Sequence, residues 1–129
     1  MPHFSIEYSS NLEKKIDIKE FCNTLRLAGI ETGVFPTKGI RVRAIGCNHY
    51  SIADDNPENG FLDISVRLRE GRDIEIRKKA TQHIFEAAKK FLKPILFSCK
   101  QVIKDLWIIF RHIINQGTPP KKEINKKLL

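Results

Sequence analysis

Near the start of the chain Phe4, Ile6 and Tyr8 alternate with His3, Ser5 and Glu7, a period of two that predicts a strand with one covered face. Asp17, followed three residues later by Glu20, forms a capping box, and Ile18, Phe21, Cys22, Leu25 and Ala28 then recur at helical spacing. Gly29 offers a C-cap, so a short amphipathic helix is expected to end there. Past the breakers of the GVFPTKG loop, Ile40, Val42 and Ala44 alternate with Arg41, Arg43 and Ile45 as a second strand. The polar stretch SIADDNPENG reads as an exposed connection.

The order then begins again. Leu62, Ile64, Val66 and Leu68 alternate with Asp63, Ser65, Arg67 and Arg69, Glu70-Gly71-Arg72 makes a turn, and Asp73 caps the next helix. Ile76, Ala80, Ile84, Ala87, Ala88 and Phe91 form its apolar stripe, Lys89, Lys90 and Lys93 complement its C-terminal dipole, and Pro94 is expected to end it. A strand-helix-strand order that occurs twice can pair into one sheet with both helices on one face, an α+β fold. Residues 95–110 are ambiguous: Leu106 to Phe110 suits a buried strand, yet Val102, Ile103, Leu106, Phe110, Ile113 and Ile114 also suit a helix. We expect one domain over residues 1–115 and a basic, flexible tail over residues 116–129.

Charge changes this picture little. The formal charge is +8, and Lys121, Lys122, Lys126 and Lys127, set against Glu123, supply about three units of it from the tail. The moderately basic remainder suits small anions, and no basic run is interleaved with aromatics as a nucleic-acid stacking surface requires. Cys22, Cys47 and Cys99 are widely spaced, with no Cys-x-x-Cys pair, and His3, His49, His83 and His112 lack metal-ligand spacing, so no metal is expected. The longest uninterrupted apolar run, Leu106 to Phe110, is far short of the roughly 20 residues of a membrane span, and a reducing cytoplasm is the simplest home. Neither a Gly-x-Ser-x-Gly elbow nor a phosphate-cradling glycine loop is present, which removes the common hydrolase and nucleotide-binding readings.

Pro2 offers one further chemistry, although Met-Pro is also a common opening that often means only a processed N-terminus. Removal of Met1 by methionine aminopeptidase leaves a secondary amine at the start of a strand, and burial beside arginines favours its uncharged form. Such an amine is suited to removing and returning protons on carbon.

Four segments then carry a family resemblance in register. They are MPHFSIEYSSNLE, GVFPTKGIRVRA, HYSIADDNPENGFLDISVRL and EGRDIEIRKKATQHIFEA, running collinearly over about residues 2–98. Together they resemble the 5-carboxymethyl-2-hydroxymuconate isomerase family of the tautomerase superfamily. The resemblance implies a duplicated β-α-β fold with a four-stranded sheet and two helices on one face, a homotrimer, and no metal or organic cofactor. It implies catalysis by Pro2, with Arg41 of the GIR motif and Arg72 of the GR turn binding a di- or tricarboxylate substrate. Arg43, Arg67 and Arg77 also lie in matched segments and are read as structural or charge-balancing. Two matched positions depart from the family: Asp63 where it usually has His, and Asp55 where it usually has Gly. After Cys99 the resemblance stops, because the expected final strand and KQNN-like segment are replaced by QVIKDLWIIFRHIINQGTPPKKEINKKLL. The alternative reading is therefore a catalytically impaired interaction protein of the same fold.

Overall fold

In a computed structural model the described residues are 2–68, 71–98, 106–114 and 122–127. Strand β1 (His3–Ser9) leads through a 3-10 turn to helix α1 (Ile18–Glu31) and strand β2 (Arg41–Cys47). Strand β3 (Gly60–Leu68), helix α2 (Ile74–Ser98) and strand β4 (Leu106–Ile114) follow, and a short strand β5 (Lys122–Lys127) comes last. β1 pairs in parallel with β2, β3 pairs in parallel with β4, and the two units meet through antiparallel β1 and β3. The sheet order is β2-β1-β3-β4-β5. This is the duplicated β-α-β arrangement, each crossover supplying the length that parallel pairing needs.

The alternation read in the sequence sets which face is covered. Phe4, Ile6 and Tyr8 of β1 and Leu62, Ile64, Val66 and Leu68 of β3 share one buried core with Phe21, Leu25 and Ala28 of α1 and Ala80, Ile84, Phe85, Ala88 and Leu92 of α2. Phe21 and Phe91 lie 5.3 Å apart between ring centroids, locking the two helices over the sheet. The Asp17 side chain accepts a hydrogen bond from the Glu20 backbone N–H at 3.1 Å, as the capping pattern requires.

Four expectations are corrected. α1 continues past Gly29 to Glu31, and the left-handed position after it belongs to Gly33 at φ +67°. Gly29 is held inside the helix by packing, since a Cβ there would stand 2.8 Å from Phe4 Cε2. α2 runs through Pro94 to Ser98. A proline removes one backbone donor, and the helix persists where the neighbouring turns stay anchored, here by buried Ala88 and Leu92. Ile76 is 45% exposed, because in the first turn of α2 the covered position is taken by Arg77, which is 8% exposed. The sheet has five strands rather than four, the fifth arising within the segment expected to be a tail. Residues 106–114, ambiguous in the sequence, form a strand in register with all of β3, from Gly60 beside Leu106 to Leu68 beside Ile114. Glu70, Cys99, Val102, Ile103 and residues 115–121 lie outside the described residues.

Gly29→Ala tests the packing argument. Helix propensity alone favours alanine by about 1 kcal/mol. The contact with the fully buried Phe4 ring opposes it, and overpacking of this kind costs about 1–3 kcal/mol. Net destabilisation is expected in urea unfolding, and a gain in stability would remove the packing explanation.

Candidate active site

The register of the sheet gathers the predicted residues at one end. His3 stands opposite Arg41 at the start of β2 and opposite Arg67 near the finish of β3. Pro2, one residue earlier, is buried at that end, and its carbonyl accepts a hydrogen bond from the Arg41 backbone N–H at 3.2 Å. The 3-10 turn Thr37–Gly39 closes on the proline ring: a Cβ on Gly39 would lie 3.5 Å from Pro2 Cδ and 3.7 Å from Pro36 Cγ. Arg41 Nη1 bends back to donate to the Gly39 carbonyl at 3.3 Å, which places its guanidinium over the same turn. Backbone and side chain together thus tie Arg41 to the neighbourhood of Pro2.

Arg72 reaches this end from the other half of the chain. Gly71, at φ +106°, lets the backbone turn sharply out of β3 before α2 begins. Arg72 Nε donates to the Val34 carbonyl at 3.2 Å, and its guanidinium carbon lies 5.8 Å from the centroid of the Phe35 ring. Phe35 in turn meets Phe4 edge-on, with centroids 5.8 Å apart and planes at 75°. Its Nε bond and the Phe35 ring thus hold the Arg72 guanidinium against the loop before β2. Phe35, Val34 and Gly39 are the supporting residues that sequence reasoning missed. Their signal was the aromatic held between Gly33 and Pro36 in the GVFPTKG loop.

The surroundings are electropositive. Burial first, then Arg43, the chain's amino terminus, Arg41 and Arg67, hold the His3 imidazole below its ordinary value of 6.5. A base whose folded value is lowered resists a proton that the unfolded chain accepts. Its contribution to stability is therefore present above about pH 6.5 and lost as pH falls below that. An NMR titration of His3 should give a midpoint under 6.5, and His3→Gln should make the acid-side loss of stability shallower. A midpoint at or above 6.5 would contradict the electropositive setting.

At the opposite end of β1, buried Tyr8 donates to Glu13 Oε1 at 2.7 Å, and that bond, with burial, pushes its phenol up to about 12. A cleft of 440 Å³ between α1 and α2, walled by Leu27, Ala87, Lys90 and Phe91, is lined by none of Pro2, Arg41 and Arg72. Among the described residues, no group of His, Cys, Asp and Glu side chains is gathered as a metal site. Also among them, no helix is long and apolar enough to cross a membrane.

A duplicated β-α-β sheet with a buried proline at the head of its first strand has the architecture of the tautomerase fold. A crystal structure described as 5-carboxymethyl-2-hydroxymuconate delta-isomerase superposes with a TM-score of 0.80 at 29% identity, covering 95% of this chain and 88% of that one. A 5-carboxymethyl-2-hydroxymuconate isomerase from Deinococcus radiodurans R1 gives 0.77 at 26% identity, covering 95% and 90%. In sequence, the 5-carboxymethyl-2-hydroxymuconate Delta-isomerase of Escherichia coli is 28% identical over 98 residues, 76% of this chain and 78% of that protein. The family model for 5-carboxymethyl-2-hydroxymuconate isomerase matches residues 2–104. The chain belongs to that family.

Proposed function

We propose that the protein is a tautomerase-type isomerase that shifts a double bond in 5-carboxymethyl-2-hydroxymuconate or a related unsaturated 2-oxo or 2-hydroxy polycarboxylate. Pro2 acts as the general base and acid. Arg41 and Arg72 hold carboxylates of the substrate, each guanidinium offering the paired donors that lysine lacks. The free ring nitrogen of Pro2 takes a proton from the substrate, leaving a dienolate with charge on the 2-oxygen. The resulting ammonium returns that proton to carbon at the far end of the conjugated system. Net composition is unchanged and no external oxidant or reductant is needed. A guanidinium beside the 2-oxygen stabilises the dienolate more than the starting enol, which is where rate arises. The reading includes a homotrimer, a place in aromatic-compound breakdown and a cytoplasmic location.

The observation that carries it is the convergence of Pro2, Arg41 and Arg72 at one end of the sheet in a chain of this family. Burial of Pro2, together with the burial and charges that lower the His3 imidazole from its ordinary value, favours an uncharged terminal amine as well. The test begins with the intact mass, which must show Met1 removed. Processed protein is then mixed with 2-hydroxymuconate and ketonisation followed by absorbance. A solvent-level rate from folded, processed protein rejects the proposal.

One observation favours the second reading, an impaired interaction protein of the same fold: the family match ends at residue 104. Against it, the backbone of Leu106–Ile114 occupies the fourth-strand place beside β3 along its full length. The same assay decides between them.

A further inference from the structure

The substrate class named above extends to three carboxylates, whereas Arg41 and Arg72 are assigned to two. A third calls for another cation at the same end of the sheet. Among the other arginines in the family-like segments, Arg77 is 8% exposed in the first turn of α2, on the covered side of the sheet. Arg43 and Arg67 are exposed on the face that the helices leave open, where β1 alternates His3, Ser5 and Glu7 with its buried residues.

Register separates these two. Arg67 stands directly across from His3, the residue next to Pro2, and Arg41 stands across from His3 on the other side. Arg43 lies further in, beside Ser5, about 7 Å along the strand. Neighbouring strands are about 4.8 Å apart, so the backbones of Arg41 and Arg67 are roughly 10 Å from one another with His3 between them. That span suits a branched substrate. In 5-carboxymethyl-2-hydroxymuconate the carboxymethyl group leaves the diene chain sideways, so its carboxylate lies off the line joining the other two. A guanidinium on the strand opposite Arg41 meets a group displaced in that way.

The setting also favours a bound carboxylate. Among the described residues Arg67 makes no ion pair. The His3 side chain beside it is partly buried, and its Nδ1 is enclosed without a hydrogen-bond partner among the described residues. Water is thus partly excluded where Arg67 leaves the strand, and a charge-assisted hydrogen bond there is stronger than one in open solvent.

We propose that Arg67 is a specificity residue, holding the carboxymethyl carboxylate of a tricarboxylate substrate while Arg41 and Arg72 hold the other two. The inference rests on the isomerase reading and extends it from the type of reaction to the choice of substrate. The carboxymethyl carboxylate takes no part in the proton transfer, so a contact with it binds substrate and transition state alike and acts on KM.

Initial rates of the full, processed chain with 5-carboxymethyl-2-hydroxymuconate and with 2-hydroxymuconate, which lacks the branch, test this, with circular dichroism as the check on folding. Arg67→Gln should lower kcat/KM for the tricarboxylate by about 10–100-fold, chiefly through KM, and at least about fivefold more than for the dicarboxylate. Arg67→Lys, which keeps the charge but not the paired donors, should recover part of that loss. Arg43→Gln removes one charge from the same face and should not discriminate between the two substrates. Equal losses on both substrates, a loss carried by kcat, an Arg67→Gln chain that keeps the natural preference, or the same discrimination from Arg43→Gln each overturns the assignment of Arg67 and leaves the isomerase reading standing. A natural chain that turns over only the dicarboxylate does the same. A natural chain inactive on both substrates overturns the isomerase reading, and this inference with it.

Discussion

Pro2→Ala is expected to lower kcat/KM for ketonisation of 2-hydroxymuconate by about 10²–10⁴, the range that a positioned acid-base group contributes. The alanine chain should also lose Met1, so an amine remains and the comparison isolates the ring. Once Met1 is removed, proline's nitrogen is a secondary amine fixed by ring closure, with the ring held beside Gly39. A primary amine on a freely rotating terminus is less well aimed at its carbon acid. The measurement is the initial rate at saturating and limiting substrate, with intact mass confirming processing and circular dichroism confirming the fold. Loss confined to KM would assign Pro2 to binding instead of proton transfer. An undiminished rate would end the proposal that this nitrogen is the base.

Phe4→Ala is expected to destabilise the fold by about 3–5 kcal/mol in urea unfolding, the usual cost of emptying a buried phenylalanine site. Phe4 is fully buried in β1, an interior strand, and lies against Gly29 of α1 and edge-on to Phe35. Its removal leaves a cavity that the helix cannot readily fill, because glycine has no side chain to offer. A second consequence reaches the site. Phe35 would lose its support, and with it the platform beneath the Arg72 guanidinium, so a folded fraction of the variant should show a raised KM. Destabilisation below about 1 kcal/mol would show that the ring is not the keystone assigned to it here.

The sequence made the first two thirds of the fold legible because alternation and capping acted locally. Phe4, Ile6 and Tyr8 needed only a period of two, and Asp17 needed only its own first turn. Gly29 was misplaced for a nonlocal reason, since its role is set by a phenylalanine on a distant strand. Pro94 was misjudged because one lost hydrogen bond is weaker than the packing of the turns around it. Phe85 and Leu92 were left out of the α2 stripe, and Arg77, read as structural or charge-balancing, is nearly buried. Helical spacing marks a face but not its width, which depends on how the helix tilts over the sheet. Strand β4 was undecided from sequence because a short run that is apolar throughout has no period to reveal.

For the site, Pro2, Arg41 and Arg72 were assigned by family resemblance, and the pattern of residues alone marked only the amine. Cross-strand register sets Arg41 beside the start of β1, next to Pro2, and contacts with Val34 and Phe35 hold Arg72 at that end, relations no single segment contains. His3, Phe35 and Gly39 are supporting residues whose importance comes from contact, so spacing could not indicate them.

The two halves of the chain are built alike, but their first residues are not chemically alike. β1 opens beside a chain terminus, whereas β3 opens at Gly60, whose nitrogen is locked in a peptide bond. An amide nitrogen has no available lone pair for proton abstraction, since resonance draws it into the carbonyl. Repetition of the scaffold therefore does not repeat the base proposed at Pro2. Titrating active centres with an amine-directed inactivator should reach an end point at one equivalent per polypeptide, not two.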